Sequence, residues 1–257
     1  MILILSAMPE ELEAVSQAID APRSIRSAGR EVTSGSISGH AVTAAFSRWG
    51  KVAAASTAAH LLTAFQPSRV IFTGIAGALR DDLAIGDHVF ARALFQHDLD
   101  ASPFFPRTHV PLLDLAALPT DPALTEQLAG ALRAATAAGA AWGPGTGARS
   151  PTPRVWVGDV ATGDQVIGTR AARARVLEAV PSALCVEMEG TAVAQVCHEF
   201  GVPFACLRMI SDRADETLAP AAVFELARRS GVAAAAMLRH WLGSTPAQPA
   251  TQAPPIH

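Results

Sequence analysis

Two glutamates, Glu187 and Glu189, follow the apolar run Ala183–Val186 with one residue between them. In an extended chain, residues two apart project to the same side, so both carboxylates would face one space. Like charges that close repel unless a proton, a hydroxyl or a cation is shared between them. A ribose diol, with two vicinal donors, is a natural partner for one carboxylate. The structural alternative is that both glutamates open a helix, where the positive end of its dipole favours acids. For a Glu-x-Glu taken alone, that alternative is the commoner one.

Arg208 lies inside a second apolar run, Phe204–Ile210. A guanidinium there needs a carboxylate or an outlet to solvent, and Glu187 is an available partner. Ser211-Asp212 ends the run. Ser-Asp is a common turn and cap dipeptide. An Asp at a strand's carboxyl end, held by a neighbouring hydroxyl, is also placed to act as a general acid. Met8-Pro-Glu-Glu11 and Gly74-Ile-Ala-Gly77 follow two further apolar runs, Ile2–Leu5 and Arg69–Thr73. In open α/β sheets ligands bind beyond the carboxyl ends of strands, so all four segments are candidates for one site.

The elements that must carry these residues follow from hydrophobic patterning. Strands are expected at Ile2–Leu5, Arg69–Thr73, Asp87–Phe95, Val155–Val160, Ala183–Val186 and Phe204–Ile210, with a hairpin of Arg30–Ile37 and His40–Ser47. Helices are expected from Pro9 to Ile19, Lys51 to Phe65, Pro122 to Ala141, Thr191 to Phe200 and Ala221 to Trp241. Pro9 suits a first helical turn, and Glu10 and Glu11 suit its positive end. Strands alternating with helices predict a single three-layer α/β/α domain over residues 1–242, with a central mixed, largely parallel sheet. The Pro-rich segment Ser102–Pro122 reads as a long excursion from it. The tail from Gly243 to His257, rich in Pro, Ala, Gln and Thr, is expected to be disordered.

Composition narrows the function. Half of the 257 residues are apolar and 17% are charged, which favours a sizeable core over disorder. A net charge of −3 gives no general attraction to nucleic acid or anionic membrane. Cys185, Cys197 and Cys206 sit in apolar runs and read as reduced core thiols of a cytoplasmic protein. Met1–Met8 lacks a basic leader and is followed at once by acids, and no apolar run reaches the ~20 residues of a membrane span. His97-Asp98 and His198 have no partners at ligand spacing, so no metal and no cofactor are expected. Gly143-Pro-Gly-Thr-Gly147 is not G-x-G-x-x-G and reads as a loop, which leaves a dinucleotide enzyme without support.

Taken together, several segments resemble the nucleoside phosphorylase superfamily, and within it the bacterial methylthioadenosine/S-adenosylhomocysteine nucleosidases. They are Ser6–Glu11, Ser47–Ala55, Thr73–Gly77, Gly86-Asp87, His97–Asp100, Val186–Gly190 and Ser211–Asp215. The combination of Val-Glu-Met-Glu and Ile-Ser-Asp carries most of the specificity. The resemblance spans residues 1–242 and is weakest between Ala101 and Val160.

It implies hydrolysis of the N-glycosidic bond of a 5′-modified purine nucleoside. Asp212 would protonate the departing base, oriented by Ser211, and Glu11 would activate water. Glu187 and Arg208 would hold the water's network, Glu189 the ribose hydroxyls, and Met188 would pack beneath the sugar. The segment Gln165–Ile167, including Val166 and Ile167, would meet the base, and Ala76 and Gly77 would line the site. Met8, Trp49 and Phe104 would surround the 5′ group, with Phe104 supplied by the neighbouring subunit of a homodimer. Three positions depart from the pattern: Val166 stands where many relatives have an aromatic, Ile75 where a small hydroxyl residue is common, and Trp49 where an aliphatic is usual. A phosphorylase is the alternative within the fold, and a nucleoside-binding protein without turnover is the alternative outside catalysis. Glu10 and Glu11 disfavour phosphate, and the acid–base trio Glu11, Glu189 and Asp212 disfavours mere binding.

Overall fold

The computed structural model describes residues 1–141, 152–215 and 219–246. The loop Gly143–Gly147 and the tail from residue 247 onward lie outside the described residues. In chain order the elements are β1 (Ile2–Ser6), α1 (Pro9–Gln17), β2 (Asp20–Ser27), β3 (Arg30–Ile37), β4 (His40–Phe46), α2 (Lys51–Phe65), β5 (Arg69–Ala78) and β6 (His88–Gln96). They continue with β7 (Leu118–Pro119), α3 (Pro122–Ala137), β8 (Val155–Thr162), α4 (Arg170–Ala179), β9 (Ala183–Glu187), α5 (Gly190–Phe200), β10 (Phe204–Asp212) and α6 (Pro220–Gly243).

The ten strands form one mixed sheet in the order β10-β6-β8-β9-β5-β1-β4-β3-β2, with β7 beside β6. Helices α1, α3 and α6 pack one face through Leu12, Val15, Leu128, Leu132 and Leu238. Helices α2 and α5 pack the other through Ala58, Leu61, Leu62, Val193 and Cys197. The expected three-layer α/β/α architecture is therefore present. β1 is buried along its whole length because both of its faces are covered.

The sheet also curls. β5 pairs with β1 over its first half, with β10 along most of its length, and with β9 at its end, where Gly77 faces Val186. Through β10–β6, β6–β8 and β8–β9 the ladder returns to β5, so five strands close on themselves. This closure brings β9 and β10 to the same rim as β1 and β5.

Some elements differ from expectation, for local reasons. α3 stops at Ala137 rather than Ala141, because Gly139 takes φ +75° and two amides turn back. Gly139 N–H donates to Thr136 and Ala140 N–H to Ala135, which closes the helix. α1 stops at Gln17 rather than Ile19. β5 runs through Gly74–Gly77 instead of ending at Thr73, and β10 runs on to Asp212 with a register shift after Ile210. β2 and α4 had no counterpart in the sequence reading. β2 is an exposed edge strand with one large apolar residue, Ile25, and α4 buries only Val176. α6 ends at Gly243, and His40 Nε2 lies 3.1 Å from the Thr245 carbonyl oxygen, so the chain is held slightly beyond residue 242.

Candidate active site

β1, β5, β9 and β10 all end at one pocket of about 160 Å³. Its wall includes Glu11, Glu187, Glu189, Ser211 and Asp212, brought together from three separate stretches of chain.

Glu11 stands in the first turn of α1 and is buried. Its Oε2 accepts N–H bonds from Ala7 at 2.9 Å and Met8 at 3.1 Å, and its Oε1 accepts one from Ile75 at 2.9 Å. Two of those donors are amides at the start of α1, so the carboxylate caps its own helix while it faces the pocket. Burial pushes its carboxyl above the ordinary carboxylate range, against the pull of Arg208 and the three amides. Two glycines make room. A Cβ on Gly231 of α6 would lie 2.6 Å from the Glu11 carbonyl oxygen, so α1 packs directly on α6. A Cβ on Gly74 would lie 2.6 Å from Glu11 Oε1 and 2.8 Å from Arg208 Nη1.

Arg208 is buried at the centre of β10 and donates to Glu187 Oε2 at 2.5 Å, with its guanidinium 4.3 Å from the Phe72 ring centroid. The partner expected from the sequence is thus the one found. Glu187 Oε2 also accepts N–H bonds from Glu189 at 3.0 Å and Gly190 at 2.7 Å, and its Oε1 accepts from the Thr162 hydroxyl. Thr191 donates in turn to Thr162 at 2.7 Å. Glu187 is therefore both the cap of α5 and the counter-ion of Arg208.

The extended Glu-Met-Glu of the sequence reading is not formed. β9 ends at Glu187, and Glu189 is the N-cap of α5 with ψ −33°. Both side chains reach the same pocket, but only Glu189 is lightly engaged, accepting one N–H bond from Gly50 at 2.8 Å. Burial, with the Glu187 charge beside it, pushes the Glu189 carboxyl up to about 8.

At the end of β10, Ser211 Oγ lies 2.6 Å from Asp212 Oδ2 and 3.2 Å from the Ala76 carbonyl oxygen. Ala214 N–H donates to Asp212 Oδ1 at 2.7 Å. A Cβ on Gly77 would lie 2.8 Å from Asp212 Oδ1, so glycine there lets the acid stand close to β5.

The remaining expected residues divide clearly. Met8, Ala76, Gly77, Ile167 and Met188 line the pocket, Met8 as a buried residue that also packs with Ala7 and Ala227. Trp49 and Val166 line it from the rim, 53% and 67% exposed. Arg208 lies behind the wall. Phe104 is 86% exposed on the excursion and is not among the lining residues. Ala7, Val186 and Val223 also line the pocket, and Gly74 and Thr162 shape it. Gly74, Ala7 and Val186 fall in segments that the sequence marks, whereas Thr162 and Val223 carry no such signal, since a residue of that kind in a buried run or helix reads only as core. Among the described residues no helix is long and apolar enough to cross a membrane.

Four acids, Glu11, Glu187, Glu189 and Asp212, thus converge where strands of one α/β sheet end, the place where such sheets bind ligands. The chain belongs to the phosphorylase superfamily, whose sequence model matches residues 1–242. It is similar to a 5′-methylthioadenosine/S-adenosylhomocysteine nucleosidase of Shewanella pealeana, 33% identical over 212 residues that cover 82% of this chain and 86% of that one. Its fold matches the crystal structure of the nucleosidase of that name from Neisseria meningitidis in complex with methylthio-immucillin-A. There the TM-score is 0.82 at 27% identity, covering 95% of this chain and 99% of that one. The native structure of futalosine hydrolase of Helicobacter pylori strain 26695 matches with a TM-score of 0.79 at 29% identity, covering 95% and 97%.

Proposed function

We propose that this chain hydrolyses the N-glycosidic bond of a 5′-modified purine nucleoside of the methylthioadenosine/S-adenosylhomocysteine type, releasing adenine and a 5-substituted ribose. The observation that carries this reading is the convergence of Glu11, Glu189 and Asp212 on one pocket. Asp212, beside the Ser211 hydroxyl, delivers a proton to the purine as the bond to the anomeric carbon lengthens. Glu189 takes the ribose 2′- and 3′-hydroxyls. Glu11 draws a proton from the water that attacks the anomeric carbon, and its burial makes it a stronger base than a solvated carboxylate. The positive charge that builds on the sugar is met by the carboxylates of the pocket.

Water is favoured over phosphate as the nucleophile on charge. Among the described residues the ionisable groups lining the pocket are all acids, and the buried Arg208 is engaged by Glu187. A phosphate site would need cations and free N–H donors facing the sugar. In this reading the rim residue Trp49 bears on the 5′ group and the rim residue Val166 on the base. Relatives named for methylthioadenosine/S-adenosylhomocysteine and for futalosine share this fold at similar identity.

The test is release of free base in phosphate-free buffer from methylthioadenosine, S-adenosylhomocysteine, 5′-deoxyadenosine, adenosine, inosine and futalosine. Adenine release without phosphate is expected, fastest from a 5′-thio-substituted adenosine. Turnover that requires phosphate and yields ribose 1-phosphate would replace this reading with a phosphorylase.

The chain is further proposed to act as a homodimer in which Phe104, exposed on its own subunit, closes the partner's pocket. Sedimentation should then give a dimer, and Phe104→Ser should raise KM without dissociating it.

A further inference from the structure

Outside the pocket wall, a second polar cluster joins the ends of three elements. Lys51, the first residue of α2, places Nζ 2.6 Å from Asp98 Oδ1, 3.3 Å from Gln96 Oε1 and 4.0 Å from Asp164 Oδ2. Its backbone N–H donates to Asp164 Oδ1 at 2.8 Å, and the Asp164 N–H donates to Asp98 Oδ2 at 2.9 Å. One residue before Lys51 is Gly50, whose N–H donates to Glu189. One residue after Asp164 begins the pocket-lining stretch Gln165–Ile167. The His97 ring packs against Gly163 so closely that a Cβ there would overlap its Nε2.

The start of α2 explains the arrangement. Its N-cap is Gly50, which has no side chain to accept the helix's orphan amides. Two acids from other elements accept them instead: Glu189 from the α5 side and Asp164 from the loop after β8. Asp98 and Asp164 face each other, and two carboxylates so placed repel unless a cation stands between them. Lys51 is that cation, 18% exposed and in contact with both.

We propose that Lys51 is a positioning residue for catalysis. Its ammonium holds Asp98 and Asp164 together, and this locks the loop 164–167 and the Glu189 amide partner into one frame. The proposal rests on the nucleosidase reading, in which that loop meets the base and Glu189 the sugar. Lys51 itself does not line the pocket. Without its charge the two aspartates separate, the loop moves outward, and groups that bind base and sugar lose their common register. The base loop and the Glu189–Gly50 contact seat the substrate before the reaction starts, so the loss is expected mainly in KM, with kcat changed little.

Lys51→Gln should raise KM about tenfold, with kcat within about twofold of the parent. It should weaken adenine binding, measured by calorimetry, by a similar factor, and Lys51→Arg should restore most of both. Asp98→Asn should act on the same contact, so the double variant should be no worse than the poorer single one. A variant that merely unfolded would lose apparent kcat at unchanged KM. A parental KM and adenine Kd in Lys51→Gln, or independent multiplication of the two effects, would overturn the proposal. If the wild type releases no base from any nucleoside, the nucleosidase reading falls, and the adenine Kd of the variants still decides the clamp. A wild type that also fails to bind adenine removes both.

Discussion

At the floor of the pocket, Glu11 accepts three backbone N–H bonds and Glu187 accepts two more, together with Arg208 and Thr162. At the rim, Trp49 and Val166 are more than half exposed, and Val166 offers the pocket only methyl groups. The floor is built from backbone donors whose positions the sheet and helix starts dictate. A side chain cannot be changed there without leaving buried amides unpaired or displacing a helix. The rim is built from side chains with space around them, where a substitution costs the fold little. In the proposed reading, reaction chemistry is thus tied to the architecture, and the choice of substrate is left to residues that can vary.

The largest expected effect tests the acid that, in the proposed reading, works against the floor. Asp212→Asn keeps the shape and the contact with Ser211 but cannot supply a proton, so kcat should fall about 1000-fold while KM changes little. Steady-state kinetics on the best nucleoside, with circular dichroism to show an intact fold, measure this. A fully active Asp212→Asn enzyme would remove the assigned acid.

Gly74→Ala is next. Its added methyl must displace Glu11 Oε1 or Arg208 Nη1, both nearer than van der Waals contact allows. A loss of about 100-fold in kcat is expected from a displacement of that size. Parental activity in this variant would mean that the floor is softer than its hydrogen bonds imply.

Glu189 lies between the two regions and gives the comparison a pH dependence. Its folded carboxyl is held up to about 8, against an ordinary value of 4.5, so the folded state keeps a proton that the unfolded chain has released. Across that window the folded state binds more protons, and stability therefore declines as pH rises from about 4.5 to about 8. Urea midpoints at several pH values should show the slope, and Glu189→Gln should flatten it. Ribose hydroxyls donate to the ionised form, so nucleoside affinity should strengthen over the same window.

The smallest effect concerns the rim. Val166→Phe restores an aromatic face to the base side, worth about 1 kcal/mol of stacking, or roughly a fivefold fall in KM. No change in KM would show that the base does not pass over residue 166.

Much of this site was legible before folding, because its residues stand next to apolar runs whose ends had to coincide. Ile2–Leu5, Ala183–Val186 and Phe204–Ile210 are too apolar to be anything but buried, and an acid at the end of each must face whatever lies beyond the sheet. The pairing of Arg208 with Glu187 followed from the same logic, since a buried guanidinium has few choices. Legibility failed where burial carried no pattern. β2 has a single large apolar side chain to announce it, α4 fully buries only Val176, and Val223 enters the pocket as one more aliphatic residue.

The amino-acid sequence by itself determined the α/β layering, the family and the set of acids, because hydrophobic periodicity and residue type are local properties. What only the tertiary structure decided is how equal-looking glutamates divide their roles. Glu187 is consumed by the start of α5 and by Arg208, while Glu189, two residues on, keeps one hydrogen bond and a raised pKa. That division depends on β5, β10, β6, β8 and β9 closing on themselves, and on a glycine at the start of α2 that borrows its acceptor from elsewhere. Contacts across more than a hundred residues of chain set both, and no local pattern encodes them.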